Sequence, residues 1–87
     1  NQNFPNPFNP LTTITFQIPQ YDRVIIAVYN IKGQEVKTLT HAYLNPGAYS
    51  VTWNGSDNAG NPVPAGIYIY SLNTQSYHSN RKLVLLK

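Results

Sequence analysis

The chain has no cysteine and no methionine among its 87 residues, and a single tryptophan, Trp53. Without cysteine there is no disulfide, no thiol nucleophile and no thiolate metal site. A chain this short buries a modest fraction of its surface, so its stability has to come from a well-filled core. Charge is scarce as well. Charged residues are 10% of the chain, against roughly 25% in an ordinary soluble domain, and Asn, Thr, Ser and Tyr supply the polarity instead. That balance leans toward a secreted module. Three acids, Asp22, Glu35 and Asp57, stand against six bases, Arg23, Lys32, Lys37, Arg81, Lys82 and Lys87, for a net charge of +3. Only Arg81 and Lys82 are neighbours, which is too sparse for a nucleic-acid footprint. No apolar run approaches the roughly 20 residues that span a bilayer, and no basic and apolar leader opens the chain. The start at Asn1 reads as that of a fragment or processed product.

The shortage of ionisable groups also limits chemistry. Nucleophilic or acid/base catalysis needs a base, an orienting partner and a nucleophile within reach of one another. The candidates are His41, His78, Asp22, Glu35 and Asp57, scattered among predicted turns and strand ends, so an enzyme is not expected. His41 and His78 lack any local metal-ligand spacing. Asn54, Asp57, Asn58 and Asn61 offer oxygens of the kind calcium takes, but with one carboxylate they read as side chains closing tight turns around Gly55 and Gly60. No cofactor is expected.

What the chain does have is strand periodicity, broken by proline and glycine. Residues 1–10 place Pro5, Pro7 and Pro10 in a stiff lead-in segment or linker that Phe4 and Phe8 can pin to the sandwich. From 11 to 87 a single domain is expected. Residues 12–18 alternate, with Ile14, Phe16 and Ile18 on one face, and Pro19 ends the run. Residues 23–31 form a β-branched run closed by Lys32-Gly33-Gln34, and 35–39 continue as a strand anchored by Val36 and Leu39. After Asn45-Pro46-Gly47, residues 48–53 put Tyr49, Val51 and Trp53 on one face, with Trp53 at the centre of the core. Residues 54–66 read as a long shaped loop, and 67–72 and 77–86 as closing strands joined by Asn73-Thr74-Gln75-Ser76. With no helical period anywhere, the expectation is an all-β, immunoglobulin-like or fibronectin-type-III-like sandwich of six to seven antiparallel strands.

Two strands are apolar on both faces. Val24, Ile26 and Val28 interleave with Ile25, Ala27 and Tyr29, and Leu83 and Leu85 with Val84 and Leu86. A sandwich strand has one inner face, so something should cover the other. A protein contact at Ile25, Ala27 and Tyr29, or cover from the chain's own lead-in segment or loops, would both satisfy this pattern.

The opening Asn3-Phe4-Pro5-Asn6-Pro7-Phe8-Asn9-Pro10, continued by Thr13-Ile14-Thr15-Phe16, resembles the start of the type A C-terminal sorting domains of type IX secretion, which are related to the immunoglobulin-like domain of the flagellar hook-capping protein. Val28-Tyr29-Asn30-Ile31-Lys32-Gly33-Gln34-Glu35-Val36 is similar to that family's central hairpin. Gly47-Ala48-Tyr49, Trp53-Asn54-Gly55 and the loop carrying Asp57, Gly60, Val63, Pro64, Ala65, Gly66, Ile67 and Tyr68 come next, in the family's order. Arg81-Lys82-Leu83-Val84-Leu85-Leu86-Lys87 resembles the closing basic and apolar strand. The resemblance implies a sorting and anchoring module of a bacterial protein exported across the outer membrane to the cell surface. Secretion machinery would recognise it through its fold and the terminal strand from Arg81 to Lys87, with Pro64, Gly66 and Tyr68 as the family's motif loop, and a cargo domain would lie upstream if the chain is a fragment.

Two other functions fit the residues. A self-assembling subunit of an extracellular fibre or filament would use the doubly apolar strands to hold neighbouring copies, and a head-to-tail contact of that kind generates an open polymer. A spacer or carbohydrate-binding accessory module would use exposed aromatic rings, for which Tyr29 and Tyr77 are the surface candidates.

Overall fold

The computed structural model describes residues 11–86; the lead-in segment 1–10 and Lys87 lie outside the described residues. Six strands succeed one another: β1 (Thr12–Ile18), β2 (Asp22–Tyr29), β3 (Glu35–Leu44), β4 (Gly47–Trp53), β5 (Gly66–Asn73) and β6 (His78–Leu85). All pairings are antiparallel. β1 pairs with β4 in a two-stranded sheet, and the other four form a second sheet in the order β3-β2-β5-β6. The all-β immunoglobulin-like expectation holds, with six strands among the described residues.

The alternation read from sequence sets the inner faces. Ile14 stands across from Val51, Phe16 from Tyr49 and Thr12 from Trp53, so these three inward residues of β1 each meet an inward residue of β4. Phe16 and Tyr49 stack with ring centroids 5.6 Å apart. On the larger sheet Val24, Ile26 and Val28 are fully buried. The core has two lobes. One gathers Ile14, Val28, Trp53, Tyr68, Leu83 and Leu85, the other Ile18, Val24, Ile26 and Leu72, and Leu39, Val51 and Tyr70 pack against both.

β3 runs five residues beyond its predicted end at Leu39, and its two apolar anchors stand three apart, a spacing that a regular strand would send to opposite faces. Two register shifts resolve this. Ile26 pairs with Thr40 and Ala27 with Thr38, skipping Leu39; Val28 pairs with Lys37 and Tyr29 with Glu35, skipping Val36. Each bulge sets two residues against one. The skipped residues are the two apolar anchors, and both pack onto the core.

Both turns into the later strands use one device. Tyr49 Oη donates to the carbonyl of Asn45 at 2.6 Å, and Tyr68 Oη to that of Pro64 at 2.6 Å. Each tyrosine lies two residues after a glycine and four after its acceptor, so its ring folds back over the bend and satisfies a loop carbonyl. Burial pushes the Tyr68 phenol up from its ordinary value.

Asp22 ties the far end of the molecule together. Its carboxylate accepts from the backbone N–H of Gln75 (3.1 Å) and Arg23 (2.8 Å) and from the Ser76 hydroxyl (3.2 Å). The Gln75 amide chiefly holds its carboxyl below the usual carboxylate range, with Arg23 and Ser76 adding to the effect against desolvation. A depressed folded value stabilises the fold above the unfolded carboxylate value of about 3.9, and the gain disappears as pH falls through the folded value. Asp22→Asn is therefore expected to melt lower than the wild type at neutral pH. The gap should close as pH is lowered through the folded value of Asp22, read by thermal denaturation across a pH series; a gap independent of pH would refute the tether.

Candidate functional site

The groups considered for chemistry are kept apart or engaged in structure. His41 and His78 fall in one row, His41 opposite Ile25, Ile25 opposite Asn73, and Asn73 opposite His78. Three strand spacings, roughly 14 Å, separate them. Among the described residues no group of three His, Cys, Asp or Glu side chains could share a metal ion. In the 54–66 loop Asp57 Oδ1 accepts from the backbone N–H of Ala59 (3.0 Å) and Asn61 (2.9 Å), and Asn54 Oδ1 accepts from Ser56. These oxygens close turns, and Gly60, at φ +90, completes one of them.

Asn58 serves the β3 edge. Its N–H donates to the Val36 carbonyl at 2.9 Å, its Oδ1 accepts from the Thr38 N–H at 3.0 Å and its Nδ2 donates to Glu35 at 3.2 Å. Two backbone groups beside the second bulge, the Val36 carbonyl and the Thr38 N–H, are thereby paired at the start of this edge strand. β6, at the other end of the strand order, has no neighbour on its outer side among the described strands. An uncovered edge presents unpaired backbone groups to any further strand.

The surface that stands out is the outer face of the four-stranded sheet. Tyr29 stands opposite Ile69, and Ile67 opposite Val84. Ile67 and Val84 are each 51% exposed, Ile69 37%, and Leu86, just beyond β6, 75%. Lys82, across from Ile69, and Glu35, across from Tyr29, flank this stripe. One row along, the face turns polar, with Thr38, Ala27, Ser71 and Asn80, and the next row carries the two histidines. The face is thus apolar at one end and polar at the other.

The residues read from the sequence as sites are distributed unevenly over this surface. Of the face Ile25, Ala27 and Tyr29, the outer two are half-buried, while Ala27 is 2% exposed, a short side chain shadowed by its neighbours on a central strand. Within the strand Arg81 to Leu86, Leu83 and Leu85 are core residues; Lys82, Val84 and Leu86 face outward, and Arg81 is exposed on the same side of the strand as Leu83. Pro64, Gly66 and Tyr68 form the second tyrosine bend. Tyr29 and Tyr77 do not share a platform: Tyr29 lies in the row of Ile69 and Tyr77 precedes the row of Asn73 and His78, four residues or about 13 Å further along. The exposed ring pair is instead Tyr21 and Tyr43, stacked at 5.6 Å. Ile67 and Ile69 were legible as the outward half of an alternating strand beside Tyr68 and Tyr70. The bulges and the Asp22 tether were not.

A family model described as FlgD Ig-like domain matches residues 11–77. Among solved structures, the chain is similar to FlgD from P. aeruginosa, with a TM-score of 0.67 and 25% identity over 86% of this chain and 58% of that one. It is also similar to FlgD from Xanthomonas campestris, described for its insights into the hook capping essential for flagellar assembly, with a TM-score of 0.63 and 21% identity over 90% of this chain and 57% of that one. At 21% the likeness is one of fold. The chain thus spans well under two thirds of either FlgD structure. No curated protein matches it.

These findings overturn the sorting and anchoring expectation, and with it type IX secretion, export across the outer membrane to the cell surface and recognition by secretion machinery. The match is to the FlgD Ig-like domain, and none of the findings points to a sorting domain. The physical reason lies in the motif residues themselves. Trp53 fills the core, Gly33 (φ 85) turns the hairpin between β2 and β3, Tyr68 closes a bend and Asp57 holds a loop. Such residues specify a fold that several functions share.

Proposed function

Because the chain belongs to the FlgD Ig-like domain family, we propose that it is a non-enzymatic structural module of a hook-cap-like scaffold, and that it acts by holding neighbouring copies through the outer face of its four-stranded sheet. The observation that carries this reading is the stripe of Tyr29, Ile69, Ile67, Val84 and Leu86, which no described part of the chain covers. Apolar side chains rimmed by charge are the usual make-up of a protein contact. Lys82 and Glu35 at opposite margins give the stripe a polarity that fixes the orientation of what binds. Of the two other functions that fit the sequence, the self-assembling subunit is the nearer, since it too depends on contacts between copies.

The test is the mass of the 87-residue chain by light scattering over a concentration series, with electron microscopy of the same samples. Oligomers that grow with concentration are expected. The double variant Ile69→Lys, Val84→Lys, with wild-type circular dichroism, should weaken association by about tenfold or more. A wild type that remains monomeric at millimolar concentration, or a folded variant that assembles unchanged, would overturn the reading.

A further inference from the structure

One row of the outer face crosses all four strands and reads Glu35, Tyr29, Ile69, Lys82 from β3 to β6. Acid and base stand at its two ends, three strand spacings or roughly 14 Å apart, with the apolar pair between them. Glu35 is held at its own end. Its Oε2 accepts from the Thr38 hydroxyl at 2.9 Å and from Asn58 Nδ2 at 3.2 Å, and Oε1 has no hydrogen-bond partner among the described residues. The other two acids are taken up by local groups, Asp22 by Gln75 and Ser76 and Asp57 by Ala59 and Asn61. Lys82, exposed on the edge strand, therefore meets no carboxylate among the described residues.

Such a row is complementary to itself. When two copies lay their outer faces together, a two-fold axis parallel to the strands reverses the strand order and leaves each row over its own counterpart. Glu35 then faces Lys82 of the second copy, and by symmetry this happens twice, while Tyr29 faces Ile69. Packed sheets lie about 10 Å apart, a gap that a lysine and a glutamate side chain span between them. One row further, Ile67 falls over the hairpin between β2 and β3 of the second copy, whose tip carries Ile31, 75% exposed. An axis across the strands sets each strand over its own copy, so that Glu35 never meets Lys82. Resting on the reading that this face holds neighbouring copies, we infer that it does so as a closed pair, two chains face to face about an axis parallel to the strands and joined by two Glu35–Lys82 ion pairs. Each stripe is then covered by the other, and growth beyond two copies has to use a different surface.

Charge reversal tests the pairing in the full 87-residue chain, read by sedimentation equilibrium at low salt. The wild type should reach a plateau at twice the monomer mass. Glu35→Lys and Lys82→Glu, each alone, set like charges at both contacts and should raise the dimer Kd by about tenfold or more. The chain carrying both changes restores opposite charges and should return to within about threefold of wild type, and all these differences should shrink as salt screens the pairs. Single reversals without effect, or a double variant no better than the singles, would overturn the arrangement. So would growth past two chains that Ile69→Lys with Val84→Lys abolishes. In each of those cases the stripe still joins copies, whereas a wild type that stays monomeric at millimolar concentration removes that contact altogether. If Glu35→Lys disturbs the fold by releasing Thr38 and Asn58, the wild-type dimer decides. Isotope-filtered nuclear Overhauser contacts between the Tyr29 ring of one copy and the Ile69 methyls of the other support the arrangement, and their absence overturns it.

Discussion

Trp53→Ala is expected to remove about 3–5 kcal/mol of folding stability, a large part of the roughly 5–15 kcal/mol that holds a domain together. Trp53 is fully buried at the heart of the first lobe. Its ring meets Tyr68 edge-on, with centroids 5.2 Å apart and planes at 72°, and its indole N–H donates to the Ser56 carbonyl at 2.8 Å. Alanine would leave a cavity between the sheets, withdraw the edge-to-face contact and strip a part-buried carbonyl of its donor. A chain without disulfides has only packing to absorb the loss. Urea unfolding of wild type, Trp53→Ala and Trp53→Phe separates the contributions: phenylalanine keeps a ring but not the N–H and should fall between the other two. A Trp53→Ala chain within about 1 kcal/mol of wild type, far below the cost of emptying a core site, would refute the placement of the ring.

Leu39→Ala is expected to cost about 2–4 kcal/mol although Leu39 is only partly buried, because it packs against both lobes. The bulge supplies a sharper comparison. Thr38 and Thr40 already pair with the adjacent residues Ala27 and Ile26, so deleting Leu39 outright lets the ladder close without a change of register. The deletion should therefore cost no more than about 1 kcal/mol beyond Leu39→Ala, because the loss is that of one side chain and not of a strand. A deletion that unfolds the chain while Leu39→Ala remains stable would mean that the bulge itself, and not the leucine it presents, is what the fold requires. Hydrogen exchange along β2 in both variants would show whether its pairing with β3 survives.

Most of the strands were legible because their signals are local. The alternation of Ile14, Phe16 and Ile18, and of Tyr49, Val51 and Trp53, depends only on the period of two in a strand, and both triplets point inward as expected. The turns at Gly33 and Asn45-Pro46-Gly47 were equally legible, because proline and glycine act on their own backbone. The apolar outer faces of β2 and β6 were visible as a pattern, but not which of their residues would remain accessible. Ala27 is hidden and Val84 open because one lies on a central strand and the other on an edge strand, a property of neighbours far along the chain.

The sequence by itself determined an all-β sandwich with Trp53 in its core and too few ionisable groups for an obvious active site, because strand period, turn chemistry and composition are written residue by residue. Its fold-specifying motifs could not separate related modules with different roles. Only the tertiary structure decided that Val36 and Leu39 reach the core through two bulges, that Asn58 pairs the Val36 carbonyl and Thr38 N–H on the β3 edge, and that Ile67, Ile69 and Val84 meet in one exposed stripe. It also decided that two strands are set over four, leaving a groove beside β1. These features are relations between residues distant along the chain, fixed by sheet order and register, and they exist only once the pairings have formed.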